Sequence, residues 1–199
     1  MKPEIEAKFL DIDPEAIRAK LKNLGASLIH PETLTRQKVF DFPDFKLDKD
    51  YSWLRLRDEN GEISLTLKKW QKDGGVDGMQ EVTFTVGSYE EAEKLLLAVG
   101  MVVKSTQMKK RELWKLGNVE FMIDTWPWIP TFLEIEGQTN EDVEAMARTL
   151  DFEWSKAKFG GVARIYKHYF NIEFEEIDRY PEITFSDVPK WLELKRIAN

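Results

Sequence analysis

Charged and apolar residues alternate along several short segments of this chain, and the sign of the charge changes from segment to segment. Successive side chains of a β-strand point to opposite faces, so each segment predicts a strand with one apolar and one charged face. Residues 3–9 (PEIEAKF) place two glutamates and a lysine on the charged face, whereas residues 53–57 (WLRLR) place two arginines there. Strands whose charges only face water more often mix both signs, so this segregation indicates a specific use of the charged faces.

The two-residue period predicts eight strands, at residues 2–11, 33–42, 51–58, 62–70, 78–87, 101–116, 118–125 and 131–137. Capping residues predict three helices, which begin after Asp13, Ser88 and Thr139. Turn residues at 59–61 and 117–118 join neighbouring strands. Strands joined mostly as hairpins, with helices outside, predict an α+β domain built on an antiparallel sheet or barrel.

A weak internal repeat favours closure of the sheet into a barrel. With a shift of 75 positions, Glu6 falls on Glu81 and Gly25 falls on Gly100. Two related strand-helix-strand halves suit a closed barrel, and two ordinary units of similar length are the alternative. We expect residues 1–170 to form the barrel domain, and residues 171–199 to be an appendage of the same domain that ends in a short helix from Asp187.

Composition excludes several classes of protein. The net charge of −7 opposes non-specific attraction to nucleic acid or to an anionic membrane surface. No segment is long and apolar enough to cross a membrane, and the absence of cysteine excludes disulfides, thiolate nucleophiles and zinc knuckles. Because no secretory leader opens the sequence, we expect a cytoplasmic protein. With only two histidines, chemistry at neutral pH is expected to rest on carboxylates, lysines, arginines and metal.

A barrel closed with its apolar faces outward would line a tunnel with the charged faces. Clustered like charges are costly when desolvated, so a ligand must complete such a tunnel. Arginine and lysine match a substrate with several phosphates, and carboxylates match Mg²⁺ or Mn²⁺. The pattern therefore predicts a metal-triphosphate site inside the barrel. For any single strand, charges that simply face water remain the alternative.

The charged segments follow one another in a specific order. An ExExK motif at residues 4–8 precedes the segments WLRLR (53–57), LTLK (65–68), KKR (109–111), ID (123–124) and FLEIEG (132–137). This series resembles the CYTH superfamily, which is named for class IV adenylyl cyclases and thiamine triphosphatases and is also called the triphosphate tunnel metalloenzymes. The resemblance covers residues 3 to about 160. It implies an eight-stranded antiparallel tunnel with flanking helices.

The resemblance also implies roles for individual residues. A triphosphate is expected to contact Lys8, Arg55, Arg57, Lys68, Lys109, Arg111 and Lys158, with Lys156 a weaker alternative to the last. A Mg²⁺ or Mn²⁺ cofactor is expected on Glu4, Glu6, Glu81, Asp124, Glu134 and Glu136. The catalytic residues are expected to be Lys8, Glu6 and Glu136.

Three features depart from the family pattern or lie outside it. Thr83 stands where a second acid is often found on the fifth strand. The segment TWPWIP (125–130) replaces a hairpin that commonly contains glycine, and either packs as a hairpin tip or grips a base or a partner. The C-terminal appendage either caps one tunnel mouth or builds a homodimer interface.

Two enzymatic activities fit these residues. One is hydrolysis of tripolyphosphate, thiamine triphosphate or a nucleoside triphosphate, and the other is cyclisation of ATP to cyclic AMP and pyrophosphate. Hydrolysis is favoured because the sequence carries no distinctive adenine pocket, although Trp53, Phe40 and Trp128 are candidates for stacking a base. A non-catalytic sensor of polyphosphate or nucleotide is a third possibility, which would need the cations but not all the acids. The expected partner is a small triphosphate, not nucleic acid or a membrane.

Overall fold

A closed antiparallel barrel forms the centre of the protein in the computed structural model, which describes residues 1–71 and 78–197. Its strands are β1 (Lys2–Phe9), β2 (Ser27–Asp41), β3 (Ser52–Glu59), β4 (Glu62–Trp70), β5 (Met79–Thr85), β6 (Val102–Leu116), β7 (Val119–Thr125) and β8 (Phe132–Gly137). They follow the order β2-β3-β4-β5-β1-β8-β7-β6, and antiparallel pairing of β2 with β6 closes the barrel. A short ninth strand, β9 (Glu182–Ile183), pairs in parallel with β6 outside it. The predicted eight-stranded antiparallel barrel is confirmed.

Helices surround the barrel. They are α1 (Pro14–Asn23), α2 (Lys46–Lys49), α3 (Tyr89–Ala98), α4 (Asn140–Thr149), α5 (Ala163–Tyr169), α6 (Phe174–Asp178) and α7 (Lys190–Glu193). The caps predicted for α1, α3 and α4 are present: the side chains of Asp13, Ser88 and Thr139 each accept a hydrogen bond from a backbone N–H of the first turn. None of the helices in the described ranges is both long and apolar enough to cross a membrane.

The strand order has twofold pseudosymmetry, as the internal repeat predicts. The unit β1-α1-β2 corresponds to β5-α3-β6, and the hairpin β3-β4 corresponds to β7-β8. Exchanging the corresponding strands leaves the order around the closed barrel unchanged, because β1 pairs with β5 and β2 pairs with β6. Each half therefore completes the sheet of the other.

The structure differs from the sequence prediction in the second strand and near the C-terminus. Strand β2 begins at Ser27 and not at residue 33, and its pairing with β6 is irregular on both sides of His30. Pro31 interrupts the ladder there and hides the alternating pattern. The helix expected from Asp187 begins only at Lys190, directly after Pro189.

Apolar side chains pack between the outside of the barrel and the helices. Leu133 and Ile135 of β8 contact Val143 and Ala147 of α4 in one cluster. On another side, Phe40 and Leu56 pack with residues of α3. The apolar faces of the strands therefore point outward, and the charged faces point into the barrel.

Helix α5 and the C-terminal appendage (residues 171–199) together pack onto the barrel over a third apolar cluster. Tyr166, Phe170 and Ile177 contact Trp126 and Phe132 there. The Tyr166 hydroxyl donates a hydrogen bond of 2.7 Å to the carbonyl oxygen of Pro127, which lies in the TWPWIP segment. This segment is thus covered by the residues that follow α4.

Candidate active site

Inward side chains of all eight barrel strands line a cavity of about 930 Å³. With the exception of Lys158, every site residue predicted from the sequence lies in its lining: Glu4, Glu6, Lys8, Arg55, Arg57, Lys68, Glu81, Lys109, Arg111, Asp124, Glu134 and Glu136. Their sequence spacing explains this result, because residues two apart on a strand share one face. The closed barrel then brings the charged faces of distant segments together.

Strands β5, β1 and β8 form an acidic wall, which we define by Glu4, Glu6, Glu81, Glu134 and Glu136. Its carboxylates come close because of the strand register, in which Glu6 lies directly opposite Glu136. Like charges in that position repel each other. The wall therefore has a local excess of negative charge.

Two lysines lie among these carboxylates. The Lys8 ammonium is 2.5 Å from Glu6 and 3.2 Å from Glu134. Lys68 contacts Glu4 and lies 3.5 Å from Glu81. In this structure the acidic wall is thus partly neutralised by lysines of its own protein.

Strands β3 and β6 form a basic wall, which we define by Arg55, Arg57, Lys109 and Arg111. Arg111 donates two hydrogen bonds of 2.6 Å to the Asp124 carboxylate of β7, and its Nη2 is also 3.2 Å from Glu134. Lys109 donates to the same Asp124 at 3.0 Å. The β6 half of this wall is therefore anchored by acids of the neighbouring strands.

The β3 half of the basic wall has few such contacts. Arg57 pairs with Glu59 at 3.1 Å, and Arg55 makes no ion pair with any acid in the described ranges. The Nε atoms of both arginines are buried and, among residues 1–71 and 78–197, lack a hydrogen-bond partner. Buried donors without a partner are costly, so these guanidinium groups are available to an anion.

Within the acidic wall, the pKa values of neighbouring carboxylates are shifted in opposite directions. Burial and the neighbouring Glu134 raise the pKa of Glu6 to about 8, although the contact with Lys8 opposes this. Burial and the charges of Glu4 and Glu134 raise the pKa of Glu136 to about 7. Burial also favours a raised pKa for Glu134, but Lys8 and Arg111 outweigh it and hold that pKa well below the usual range.

Crowding of positive charge has the mirror effect on the basic wall. Burial and the adjacent Arg55 lower the pKa of Arg57 to about 10. Burial and the adjacent Arg111 lower the pKa of Lys109 to about 8, despite the contact of Lys109 with Asp124. Burial is the larger cause of both shifts and crowding of positive charge adds to it, whereas Asp124 and Glu134 outweigh burial at Arg111 and raise its pKa.

Lys158 lies outside the cavity lining, so the geometry gives no support to its predicted contact with a triphosphate. Its backbone forms two hydrogen bonds of 2.9 Å with that of Lys8, and its side chain is exposed. The alternative, Lys156, is also exposed and pairs with Glu153. The cations that reach the cavity from this part of the chain are Arg164 and Lys167 of α5.

The candidate base-stacking residues occupy three different environments. Trp53 lines the cavity, whereas Phe40 is buried in the outer apolar core. Trp128 packs against Tyr166 and Tyr180 in the third apolar cluster. The sequence analysis missed Trp70 as a cavity residue, although it continues the inward two-residue period from Lys68.

The acidic wall suits a divalent cation in its donor chemistry, because Mg²⁺ and Mn²⁺ prefer carboxylate oxygens. The raised pKa values of Glu6 and Glu136 also indicate unbalanced negative charge, which a cation would relieve. Within residues 1–71 and 78–197, however, no three acidic or histidine side chains are grouped closely enough to hold one ion. Binding of a metal ion would therefore require the ammonium groups of Lys8 and Lys68 to move away from the carboxylates that they contact.

The family of the chain follows from its match to a domain model. The model of the CYTH domain matches residues 2–166. The chain belongs to the CYTH family. The acidic and basic walls lie within the matched residues. Some residues that line the cavity, such as Lys167 and Phe174, follow the match. No curated protein matches the chain in a sequence comparison.

Several solved structures are similar to this CYTH protein. The PH1012 protein of Pyrococcus horikoshii OT3 is 27% identical, with a TM-score of 0.65, and the similarity covers 78% of this chain and 94% of that one. The PH1819 protein of the same organism is 20% identical over 83% and 98% of the two chains, with a TM-score of 0.68.

A plant protein shares the same fold. HpAC1 from Hippeastrum, named as an adenylyl cyclase and described as having a dominant triphosphatase activity, is 15% identical over 81% of this chain and 91% of its own, with a TM-score of 0.57. At this identity the similarity supports the fold alone. The activity of the present chain must be argued from its own residues.

Proposed function

We propose that this protein is a metal-dependent phosphohydrolase that cleaves a triphosphate inside the barrel. The observation that carries the proposal is the pair of buried Nε donors of Arg55 and Arg57, which have no partner in the part of the chain that the structure describes and lie opposite a wall of carboxylates. Guanidinium groups on a rigid sheet bind phosphate oxygens strongly and with fixed geometry. A polyanion would supply the charge that the basic wall lacks.

The cations bind and polarise the substrate in this proposal. Arg55 and Arg57 contact phosphate oxygens from β3, while Lys109 and Arg111 contact them from β6. Since these donors are already fixed by the sheet and by Asp124, little reorganisation accompanies the reaction. Charge that develops on the leaving phosphate chain is thereby stabilised.

The acidic wall would hold the metal ion. Glu4, Glu6, Glu134 and Glu136 are the ligands that we assign, with Asp124 and Glu81 nearby. A bound Mg²⁺ or Mn²⁺ would supply charge neutralisation and a more acidic bound water. Lys8 and Lys68 would then turn from these carboxylates toward phosphate oxygens.

The reaction that we propose is attack of a water oxygen on the terminal phosphorus. The new P–O bond forms as the bond from that phosphorus to the bridging oxygen breaks, and the products are orthophosphate and the shortened phosphate chain. Glu136 is the residue that we assign to accept the water proton, a role in which one of its carboxylate oxygens stays free of the metal. Lys109, with its pKa lowered to about 8, is suited to return a proton to the leaving oxygen.

Cyclisation of ATP is the second candidate activity. It is favoured by Trp53 and Trp70, which add aromatic surface to the cavity lining. In that reaction the ribose 3′-hydroxyl attacks the α-phosphorus and pyrophosphate leaves. The same cations would hold the triphosphate, so only the position of the organic group distinguishes the two reactions.

The test is incubation of the purified protein with tripolyphosphate, ATP or thiamine triphosphate, each with Mg²⁺ or Mn²⁺, followed by ³¹P NMR and chromatography. Orthophosphate as the product supports hydrolysis, and cyclic AMP with pyrophosphate supports cyclisation instead. If the protein binds a triphosphate tightly but turns over none of the three substrates with either metal, both activities are contradicted and a sensor of phosphate chains is favoured.

A further inference from the structure

The two ends of the cavity have different chemistry. One end, the aromatic mouth, is lined by Trp53, Trp70, Trp126, Phe132 and Phe174. These residues lie where β3 and β8 begin, where β4 ends, just after β7, and in α6. Helices α5 and α6 complete this mouth with the cations Arg164 and Lys167 and the acids Glu175 and Asp178, of which Asp178 is paired with Lys104.

The opposite end, the acidic mouth, is lined by Glu59, Glu62, Glu120 and Glu136. The strand register places Glu59 opposite Glu62 and Glu120 opposite Glu136. Arg57 and Lys115 pair with two of these carboxylates and leave the others without an ion pair in the described ranges. Like charges that face each other disfavour an anion, so a substrate is expected to enter by the aromatic mouth.

In the aromatic mouth, Trp70 carries a buried N–H group whose position is not explained by a hydrogen bond to any described residue. The residue is only 9% exposed, and its Nε1 donor lacks a partner among residues 1–71 and 78–197. A buried indole N–H normally finds an acceptor, because leaving it unpaired costs free energy. This donor is on a residue that lines the cavity.

Arg164 of α5 fixes the position of the Trp70 ring. Its guanidinium carbon lies 4.7 Å from the ring centroid, which is a cation-π contact. A Cβ atom at Gly160 would come within 3.1 Å of the Arg164 Nε and 3.4 Å of the Trp70 ring, so glycine leaves room for this stack. One face of the indole is thus covered, and its N–H edge is left for a ligand.

We infer that Trp70 and Arg164 form a subsite for the organic ring of the triphosphate substrate. This inference rests on the proposed function. The ring would be flat and would carry a nitrogen or carbonyl acceptor for the Trp70 N–H, with Trp53 offering an aromatic face nearby. The positive charge of Arg164 disfavours a cationic ring. The preferred substrate class is therefore a nucleoside triphosphate, ahead of thiamine triphosphate and inorganic tripolyphosphate.

The experiment compares ATP, thiamine triphosphate and tripolyphosphate as substrates of the full chain and of the Trp70→Phe variant. The variant keeps an aromatic ring and loses only the N–H and part of the ring area. We expect KM for ATP to rise about tenfold, the effect of one lost hydrogen bond, and KM for tripolyphosphate to stay unchanged. Unchanged tripolyphosphate kinetics also show that the variant folds.

Two further variants sharpen the comparison. Trp154→Phe removes an indole N–H that lies outside the cavity lining, and should change none of the three KM values. Arg164→Gln removes the charge beside Trp70, and should reduce the preference for ATP over thiamine triphosphate. Arg164 is a positioning residue, so the readout is the ratio of the KM values for ATP and thiamine triphosphate, which a merely structural role would not change.

Different outcomes separate this inference from the proposed function. If the wild-type protein turns over tripolyphosphate as efficiently as ATP, or if Trp70→Phe weakens both equally, the subsite is excluded and the hydrolase stands. If no triphosphate is turned over, the proposed function fails. Calorimetric binding of ATP and tripolyphosphate then still tests the subsite, which requires a loss of affinity for ATP alone in Trp70→Phe.

Discussion

The acidic and basic walls of the tunnel solve the problem of buried charge in different ways. The acidic wall contains its own counterions, because Lys8 and Lys68 come from the same strands or from the adjacent one. The basic wall borrows Asp124 for its β6 half and leaves Arg55 and Arg57 of β3 largely without acids. Both walls keep unbalanced charge, but in the described ranges only the basic wall also leaves buried donors, the Nε atoms of Arg55 and Arg57, without a hydrogen-bond partner.

This difference teaches how the tunnel can be stable and still bind a polyanion. A fully paired set of charges would gain little from a phosphate chain, since each new contact would break an old one. Arg55 can bind without losing an ion pair to a described residue, whereas Lys8, Lys68 and Arg111 must exchange partners. The predictions below separate these two groups by experiment.

The largest effect is expected for Glu6→Gln in the acidic wall. Loss of this carboxylate should lower metal-dependent turnover by about a thousandfold, equivalent to about 4 kcal/mol of transition-state stabilisation. Steady-state kinetics at saturating Mg²⁺ or Mn²⁺ measure it. The matched control is Glu112→Gln, a buried carboxylate on the outer face of β6 that binds Arg18. This control should lower stability and leave turnover unchanged, and an unaltered rate in Glu6→Gln would remove Glu6 from the metal site.

The next effect concerns a cation that is already paired. Arg111→Gln leaves Asp124 and Glu134 with fewer counterions in a buried site, and should lower the free energy of unfolding by about 3 to 5 kcal/mol. Urea denaturation measures the change. A loss below about 1 kcal/mol would show that these pairs lie in a wetter environment than the fold indicates.

Arg55→Gln is the contrasting change on the other half of the basic wall. No acid of the described residues depends on Arg55 for an ion pair, so the free energy of unfolding should stay constant or rise as the charge repulsion on Arg57 falls. Affinity for tripolyphosphate should fall about 10- to 100-fold, the value of one charged hydrogen bond. Denaturation and calorimetry on the same sample give both numbers, and a large loss of stability with intact binding would reverse the assignment.

The barrel and its charged lining were predictable from sequence because alternation on a strand is a local property. The spacing of Arg55 and Arg57 shows that they share one face of a strand, whatever strands pair with it. The cavity residues of α5 and α6 depend instead on tertiary contacts: Arg164 reaches the mouth because α5 packs on Trp126 and Phe132. Lys158 lies outside the cavity lining, and its contact with a triphosphate stays a prediction. A backbone bridge to Lys8 fixes its segment, and no local pattern in the sequence reveals that bridge.

A smaller effect is expected on the pH dependence of stability, and it arises from the raised pKa values in the acidic wall. Glu136 has a folded pKa of about 7 against an ordinary value of 4.5, so between these values the folded protein keeps a proton that the unfolded chain has lost. Stability should therefore fall as pH rises through this window, by up to about 1.4 kcal/mol per pH unit for this group. In Glu136→Gln the decline should be shallower, with Glu6 alone continuing it toward pH 8. Urea titrations at several pH values measure the slopes, and equal slopes would contradict the raised pKa.

The smallest effect concerns β2, which lies between the two strands of the basic wall and has uncharged inward residues such as Thr35 and Gln37. Thr35 is fully buried, and its hydroxyl lacks a partner among the described residues. Replacing it with valine, which has the same shape, should raise the free energy of unfolding by about 1 kcal/mol because an unsatisfied polar group is removed. The matched control is Thr66→Val, since the Thr66 hydroxyl accepts a hydrogen bond of 2.9 Å from Thr83 and its loss should be destabilising. If Thr35→Val is instead destabilising, a bound water must satisfy that hydroxyl, and the centre of the tunnel is wetter than its packing indicates.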